Sequence, residues 1–453
     1  MPRVEFYRHQ LGGDEAASWR RVLDTLFLTL GPQVAAFEQE LGSFLVRGRE
    51  GAVAPHVVGT NACTMGLLLA LRALDVGPGD EVITTPMTFA ATTSAILHLG
   101  AKPKLVDVEP ATGLMDPAAV RAAIGPSTVG ILPVHLYGQL ADMKALRALA
   151  DQHGLFIVED SAHGVEIERD GVRPGDLSEA AVFSFYATKN LTSGDGGAVV
   201  TRDGQVADRL RRLRNHGVSK GAADRHGATY QHWDMVELGY KANLTDLDAA
   251  LLRPQLPLIE AKRDRREAVV GRYESLLRAR IAVLTTAAPT VNAVPWLVER
   301  RGRSSHHLFT LHTWPGERDA MLARLGAAGI GTAVNYRAIH LLTYLAESLA
   351  IPRGSLPVAE EIGDRTISLP LYPTLGSEDQ DRVVDAVADA WGELAARRGC
   401  PGGTVWHTRP PARRRSNRRE CCESLVGPPV AIAWARCACE DVGPACQPLS
   451  RCS

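Results

Sequence analysis

At about 150 residues per domain, a chain of 453 residues has room for two or three domains and a large buried core, which excludes a miniature disulfide- or metal-stapled scaffold. Hydrophobic residues make up 45% and charged residues 22%, and the formal net charge is -1, so the bulk composition excludes a polyanion or nucleic-acid binder. No apolar run reaches the roughly 18 residues of a membrane helix, and the opening MPRVEFYRHQ lacks a charged-then-apolar leader pattern, so the expected location is the cytoplasm, with no membrane partner.

Residues 14–47 read as a helical arm, with Leu23, Leu26, Leu30, Val34, Phe37 and Leu41 at helical spacing around a Gly31-Pro32 break. From Val57 onward, short β-branched runs alternate with helical stretches. The runs are Val57-Val58, 82–84, Leu105-Val106, 130–134, 155–158, 181–183 and 198–200. Such alternation predicts an α/β domain with a mainly parallel sheet covered by helices on both faces. After Leu247 the spacing predicts one long connector helix through Asp248–Ala279. Strands at 306–312 and 366–369 and helices near 317–328, 357–363 and 378–397 then suggest a smaller α/β domain. The expected division is 1–247 for the arm and large domain, 248–399 for the connector and small domain, and 400–453 for a separate tail.

The tail differs in composition. Cys63 is the only cysteine before residue 400, as suits a protein of a reducing compartment. Seven more fall between Cys400 and Cys452, where eight Arg face four acidic residues. With many Pro, Arg and Gly and no sustained periodicity, residues 400–453 are expected to be disordered. No cysteine pair there has the CxxC spacing of a zinc ribbon and no His follows His407, so no metal site is expected. The basic run Arg413–Arg419 is also weak as a nucleic-acid segment. A nonfunctional extension, such as an altered reading frame produces, fits best.

Chemistry concentrates in three places. The run Phe183-Ser184-Phe185-Tyr186-Ala187-Thr188-Lys189-Asn190, followed by the glycine-rich return SGDGG, sets a lysine among apolar and hydroxyl residues just after a strand. Such a lysine is poised to be desolvated and nucleophilic, as Schiff-base formation requires, although a single lysine could equally sit on an ordinary surface loop. Upstream, Gly154-Leu155-Phe156-Ile157-Val158-Glu159-Asp160 is a buried-strand pattern ending in two carboxylates. Ligands of open α/β sheets sit beyond the carboxyl ends of strands, so Asp160 is placed to meet a buried cation such as a pyridinium nitrogen; the alternative is a cap on the following helix. His163 either faces the same pocket or is a satisfied loop histidine. Third, Gly59-Thr60-Asn61-Ala62-Cys63-Thr64-Met65-Gly66 leads small and hydroxyl residues into a helix start that suits a phosphate, without the spacing of a dinucleotide fingerprint or P-loop.

In combination, the segments GDEVITTPMTFAATTSAI, PVHLYGQLADM, VEDSAHG, FSFYATKNLTSGDGG, LGYKANLTDLDAALLRPQL and SLPLYPTL, in that order from about Val4 to Val387, resemble the DegT/DnrJ/EryC1/StrS family of sugar aminotransferases. The resemblance implies a fold-type-I aminotransferase that uses pyridoxal 5'-phosphate, held by Lys189 through a Schiff base with Asp160 at the ring nitrogen. Ser184, Thr64 and the backbone at Met65 would bind the phosphate. Phe89 would stack on the ring and His163 would lie beside it; ordinary core is the other reading of Phe89. Asn243 would reach the phosphate of a neighbouring subunit, which implies a homodimer with active sites at the subunit interface. Arg337 and His340, in NYRAIH, are candidates for a substrate phosphate and sugar hydroxyls, with a solvated loop as the alternative. The loop NACTMG departs from the family's usual Ser-Gly-Thr-Ala run, and Ala242 stands where an aromatic is usual. The lysine is retained, which disfavours the family's dehydratase branch.

The implied reaction moves an amino group from glutamate or glutamine to a nucleotide-linked keto-sugar. A keto-cyclitol acceptor and a non-catalytic cofactor-binding regulator remain as alternatives. Deleting residues 400–453 is expected to leave that activity intact, and a truncated protein with most of its turnover lost would refute the reading of the tail.

Overall fold

The β-branched runs pair into a seven-stranded sheet in a computed structural model that describes residues 2–219, 232–286 and 296–397. The expectations for residues 400–453, including those about its cysteines, lie outside the described residues. The strands are β1 (His56–Thr60), β2 (Glu81–Thr84), β3 (Lys102–Leu105), β4 (Thr128–Leu132), β5 (Phe156–Asp160), β6 (Ala180–Ser184) and β7 (Gly197–Thr201), in the spatial order β1-β7-β6-β5-β4-β2-β3. All are mutually parallel except β7, which runs antiparallel to both β1 and β6. The sheet is mixed, mainly parallel, as the sequence predicts.

Helices cover it because the crossovers between parallel strands must pass over its faces. The helix Cys63–Ala73 lies against β6 and β7, and Leu67, Leu69, Ala70 and Leu71 are wholly buried there. Gly66 permits that approach, since a Cβ on it would fall 2.6 Å from Val182 Cγ1. On the other side, Met143, Leu146 and Leu149 of the helix Met143–His153 pack with Ile131 and Ile157 of the sheet.

A second sheet is antiparallel and three-stranded, with β8 (Trp296–Leu297), β9 (Phe309–His312) and β10 (Thr366–Leu369) in the order β10-β9-β8. Its core joins Phe309, Leu311, Ile367 and Leu369 to Tyr273 of the helix Ile259–Thr286 and to Val383, Val387 and Trp391 of the helix Ser377–Arg397. Among the described residues no helix is long and apolar enough to cross a membrane.

Two expectations about helices need correction. The connector predicted over Asp248–Ala279 is two helices, Asp246–Leu252 and Ile259–Thr286, because Pro254 and Pro257 cannot donate the backbone bonds a continuous helix needs. The opening arm breaks at Gly31-Pro32 as expected, with Pro32–Leu45 as its second helix, but its first helix, Gly13–Val22, ends earlier than the spacing predicts. Leu23 and Leu26 lie in the turn between them and are exposed, and Leu30 takes a positive φ of 49° before Gly31-Pro32.

Candidate active site

The carboxyl ends of β5 and β6 open onto a cavity of about 540 Å³, where an open α/β sheet places its ligands. Asp160 ends β5 and is only 5% exposed. Its Oδ1 accepts from the Ala162 N–H at 3.0 Å and its Oδ2 from Thr92 Oγ1 at 2.8 Å. Thr92 lies one turn into the helix Ala90–His98, and its oxygen is 2.6 Å from Thr88 Oγ1. Because the Thr92 proton goes to Asp160, Thr88 donates to Thr92, and a buried hydroxyl chain fixes the carboxylate. No helix follows Asp160, so the capping alternative falls away. Burial raises its pKa above the usual carboxylate value, opposed by the bonds from Thr92 and Ala162 and by the charge of Lys189.

Lys189 stands on the loop between β6 and β7, its N–H bonded to Tyr186 O at 2.8 Å. Neighbouring residues anchor that loop. Asn190 Nδ2 donates to Glu166 Oε1 at 3.2 Å and to Ser305 O at 3.1 Å, and the amide of Gln255 bonds both N–H and C=O of Thr192. Burial lowers the Lys189 ammonium to about 8, against the opposing pull of Cys63 and Asp160. Roughly a tenth is therefore uncharged at pH 7, far more than for an ordinary lysine, and a nucleophilic amine needs that form.

Cys63, Thr64 and Met65 form the first turn of the helix Cys63–Ala73. Their N–H groups have no acceptor within the helix, and Ala62 offers no side-chain cap. Thr64, Cys63 and Ser184 line the cavity, so hydroxyls and free donors converge at one end of it, a donor set that fits a phosphate. Gly197 lets this turn sit low on the sheet: a Cβ there would fall 2.7 Å from Ala62 C and Cys63 N. Gly197→Ala must displace backbone, and about 1–3 kcal/mol of lost stability is expected in a denaturant titration.

Two further walls complete the cavity. Phe89 is 64% exposed, so it is not core, and its ring centroid lies 6.2 Å from that of Tyr336. His163 accepts the Tyr137 N–H at Nδ1 (3.1 Å), so its proton sits on Nε2 and is donated to Tyr336 Oη at 3.0 Å. Burial and the nearby Lys189 charge push His163 well below its ordinary pKa, which keeps it neutral.

The cavity thus brings together Thr64, Phe89, Asp160, His163, Ser184 and Lys189. Met65 turns its side chain to the core beneath and offers only its N–H. Asn243 is buried outside the cavity lining, its Nδ2 bonded to Thr29 Oγ1. Arg337 is exposed and outside the lining. His340 is fully buried outside the cavity lining, with Nε2 3.0 Å from Glu360 Oε1. Thr92, His307 and Tyr336 are site residues that the sequence reading leaves unassigned. A pair of threonines four apart astride Phe89 is a local signal for the first; the other two, more than 110 residues beyond Lys189, have none.

The sequence profile of the DegT/DnrJ/EryC1/StrS aminotransferase family matches residues 9–388. The spore coat polysaccharide biosynthesis protein SpsC of Bacillus subtilis strain 168 is 37% identical over 385 residues, 84% of this chain and 95% of that protein. DesV of S. venezuelae, solved in complex with a ketimine intermediate, shares 38% identity and a TM-score of 0.75, covering 86% of this chain and 98% of its own. The sugar aminotransferase CalS13 from Micromonospora echinospora shares 29% identity and a TM-score of 0.73, covering 86% of this chain and 100% of its own. With Lys189 and Asp160 facing one cavity at adjacent strand ends, the chain belongs to the DegT/DnrJ/EryC1/StrS aminotransferase family and is an aminotransferase.

Proposed function

We propose that the protein uses pyridoxal 5'-phosphate to move an amino group from glutamate or glutamine to a nucleotide-linked keto-sugar in amino-sugar biosynthesis. The observation that carries this is the placement of Lys189 and Asp160 in one cavity, above the uncapped helix start at Cys63. Relatives named for sugar transamination and polysaccharide biosynthesis support the acceptor class.

When bound, the cofactor supplies an aldehyde that accepts the amino group and a ring that draws off the electron pair of the donor's α-carbon. The protein supplies the rest. Lys189 Nζ, uncharged in part near neutrality, would hold the cofactor covalently, and its free amine, once displaced by the donor, would take the proton from the donor's α-carbon and deliver it to the carbon that was the cofactor's aldehyde. Asp160, braced by Thr92, holds a proton on the ring nitrogen. Thr64, Ser184 and the N–H groups of the first helical turn bind the phosphate, and Phe89 covers a ring face. Arg337, exposed beside the cavity residue Tyr336, meets the acceptor's phosphate.

On this reading residues 1–247 are the cofactor-binding part and 248–399 the small domain, in a homodimer whose partner receives Asn243. Borohydride reduction of the loaded protein should place the label on Lys189, and a panel of amino-sugar nucleotides should then transfer nitrogen to 2-oxoglutarate. Turnover with a keto-cyclitol and with no nucleotide-linked sugar would move the assignment to that class.

A further inference from the structure

The small domain reaches Lys189 through one side chain. His307, in the segment before β9, is 7% exposed, and its Nε2 lies 3.4 Å from Lys189 Nζ. Its ring is 4.5 Å from that of His163, and its Nδ1 is buried with no hydrogen-bond partner. These facts make the pair sensitive to where a proton sits.

An ammonium has three N–H groups and no lone pair, so opposite a charged Lys189 the imidazole must offer Nε2 as acceptor and carry its own proton on Nδ1. That would bury an unpartnered N–H, a rare and costly arrangement. Opposite an uncharged amine the reverse tautomer is open: Nε2–H donates to the Nζ lone pair, and only a lone pair at Nδ1 goes unmatched.

We propose that His307 is a positioning residue that favours the uncharged form of the free Lys189 amine by donating Nε2–H to Nζ. The proposal rests on the reading of Lys189 as the cofactor-bearing group. It gives the lysine the form it needs to close on an aldehyde, and it disfavours a proton that lingers on Nζ.

The charges around the pair are all accounted for. Asp160 faces Lys189 and favours its charged form, so it opposes His307, whereas burial pushes the Cys63 thiol well above its ordinary pKa and leaves it uncharged near neutrality. His163 is neutral, and Arg266, paired with Glu166, faces His307 from the helix Ile259–Thr286 and discourages a positive imidazole. Arg8, His9 and Lys262 share a small recess on the far side of Lys189 and His307.

The test titrates the amine directly on the full-length chain freed of cofactor, by trace acetylation with acetic anhydride across about pH 6 to 11 and peptide mapping of Lys189. Wild type should show a midpoint of about 8. His307→Phe keeps a buried ring without the donor, and its midpoint should rise by about one unit or more. His307→Gln restores a donor, and its midpoint should return to within about 0.3 of wild type. If the Phe variant fails to fold, His307→Leu takes its place with the same expectation. A wild-type midpoint in the Phe or Leu variant would overturn the proposal in favour of burial alone, as would a Gln variant that shifts as far as Phe. A borohydride label found off Lys189 would instead sink the cofactor reading and leave the titration standing.

Discussion

Replacing Lys189 with Ala is expected to lower turnover at least about a thousandfold, since general acid–base transfer alone contributes about 10²–10⁴ and the covalent link is lost as well. The fold should survive. Among the described residues Lys189 Nζ has one partner within hydrogen-bond range, His307, and its loop is anchored through Asn190 and Thr192 instead. The stability difference between variant and wild type carries a pH signature whose sign follows from linkage. The lysine is lowered to about 8 in the folded chain and returns to about 10.5 when unfolded, so between those values the unfolded state binds more protons and folding of the wild type gains stability as pH rises. Wild type should therefore improve relative to Lys189→Ala from about pH 8 to 10.5, with the lysine's unfavourable contribution largest below pH 8. Release of 2-oxoglutarate from glutamate measures turnover, and thermal unfolding across that window measures the linkage. A variant that turned over at the wild-type rate would remove Lys189 from the chemistry.

Most of the seven-stranded sheet was legible because its strands carry short β-branched runs between turn signals, β3 (Lys-Pro-Lys-Leu) being the exception, and because Asp160 and Ser184 end β5 and β6 with Lys189 in the loop that follows, where local sequence marks both strand and ligand position. The long connector was not, since Leu and Ala periodicity runs across Pro254 and Pro257, and only the prolines' missing donors break it. Leu23 and Leu26 keep helical spacing in a turn that Gly31-Pro32 terminates. The part of the site contributed by residues after 300 is the least visible. The stretch HHLFTLH carries a strand signal, but only Phe309–His312 is strand, and nothing local shows that His307 meets a lysine 118 residues away. In NYRAIH the charged and titratable Arg337 and His340 draw attention by type, whereas Tyr336 faces the cavity and His340 pairs with Glu360 in the core. Contacts between residues this far apart in the chain are set by tertiary packing, which residue type does not encode.

Asp160→Asn is expected to separate two quantities that usually move together. Turnover should fall by about 10²–10³, the size of one preorganised electrostatic partner, because an amide cannot hold a proton on a ring nitrogen by charge. The scaffold tolerates the change: the oxygen of the introduced amide still accepts from the Ala162 N–H, and Thr92 Oγ1, 3.3 Å from Phe89 O, can donate there and accept from the new NH₂ group. Lys189 responds in the opposite direction. The Asp160 charge favours its ammonium form, so removing that charge should move the acetylation midpoint of Lys189 below about 8. The variant should therefore hold a larger fraction of uncharged amine at neutral pH and still turn over slowly. An unchanged midpoint would mean that the carboxylate does not act on Lys189 through the cavity, and wild-type turnover would exclude Asp160 as the partner of the ring nitrogen. The opposed signs matter because a merely misfolded site would lower turnover and lysine reactivity together.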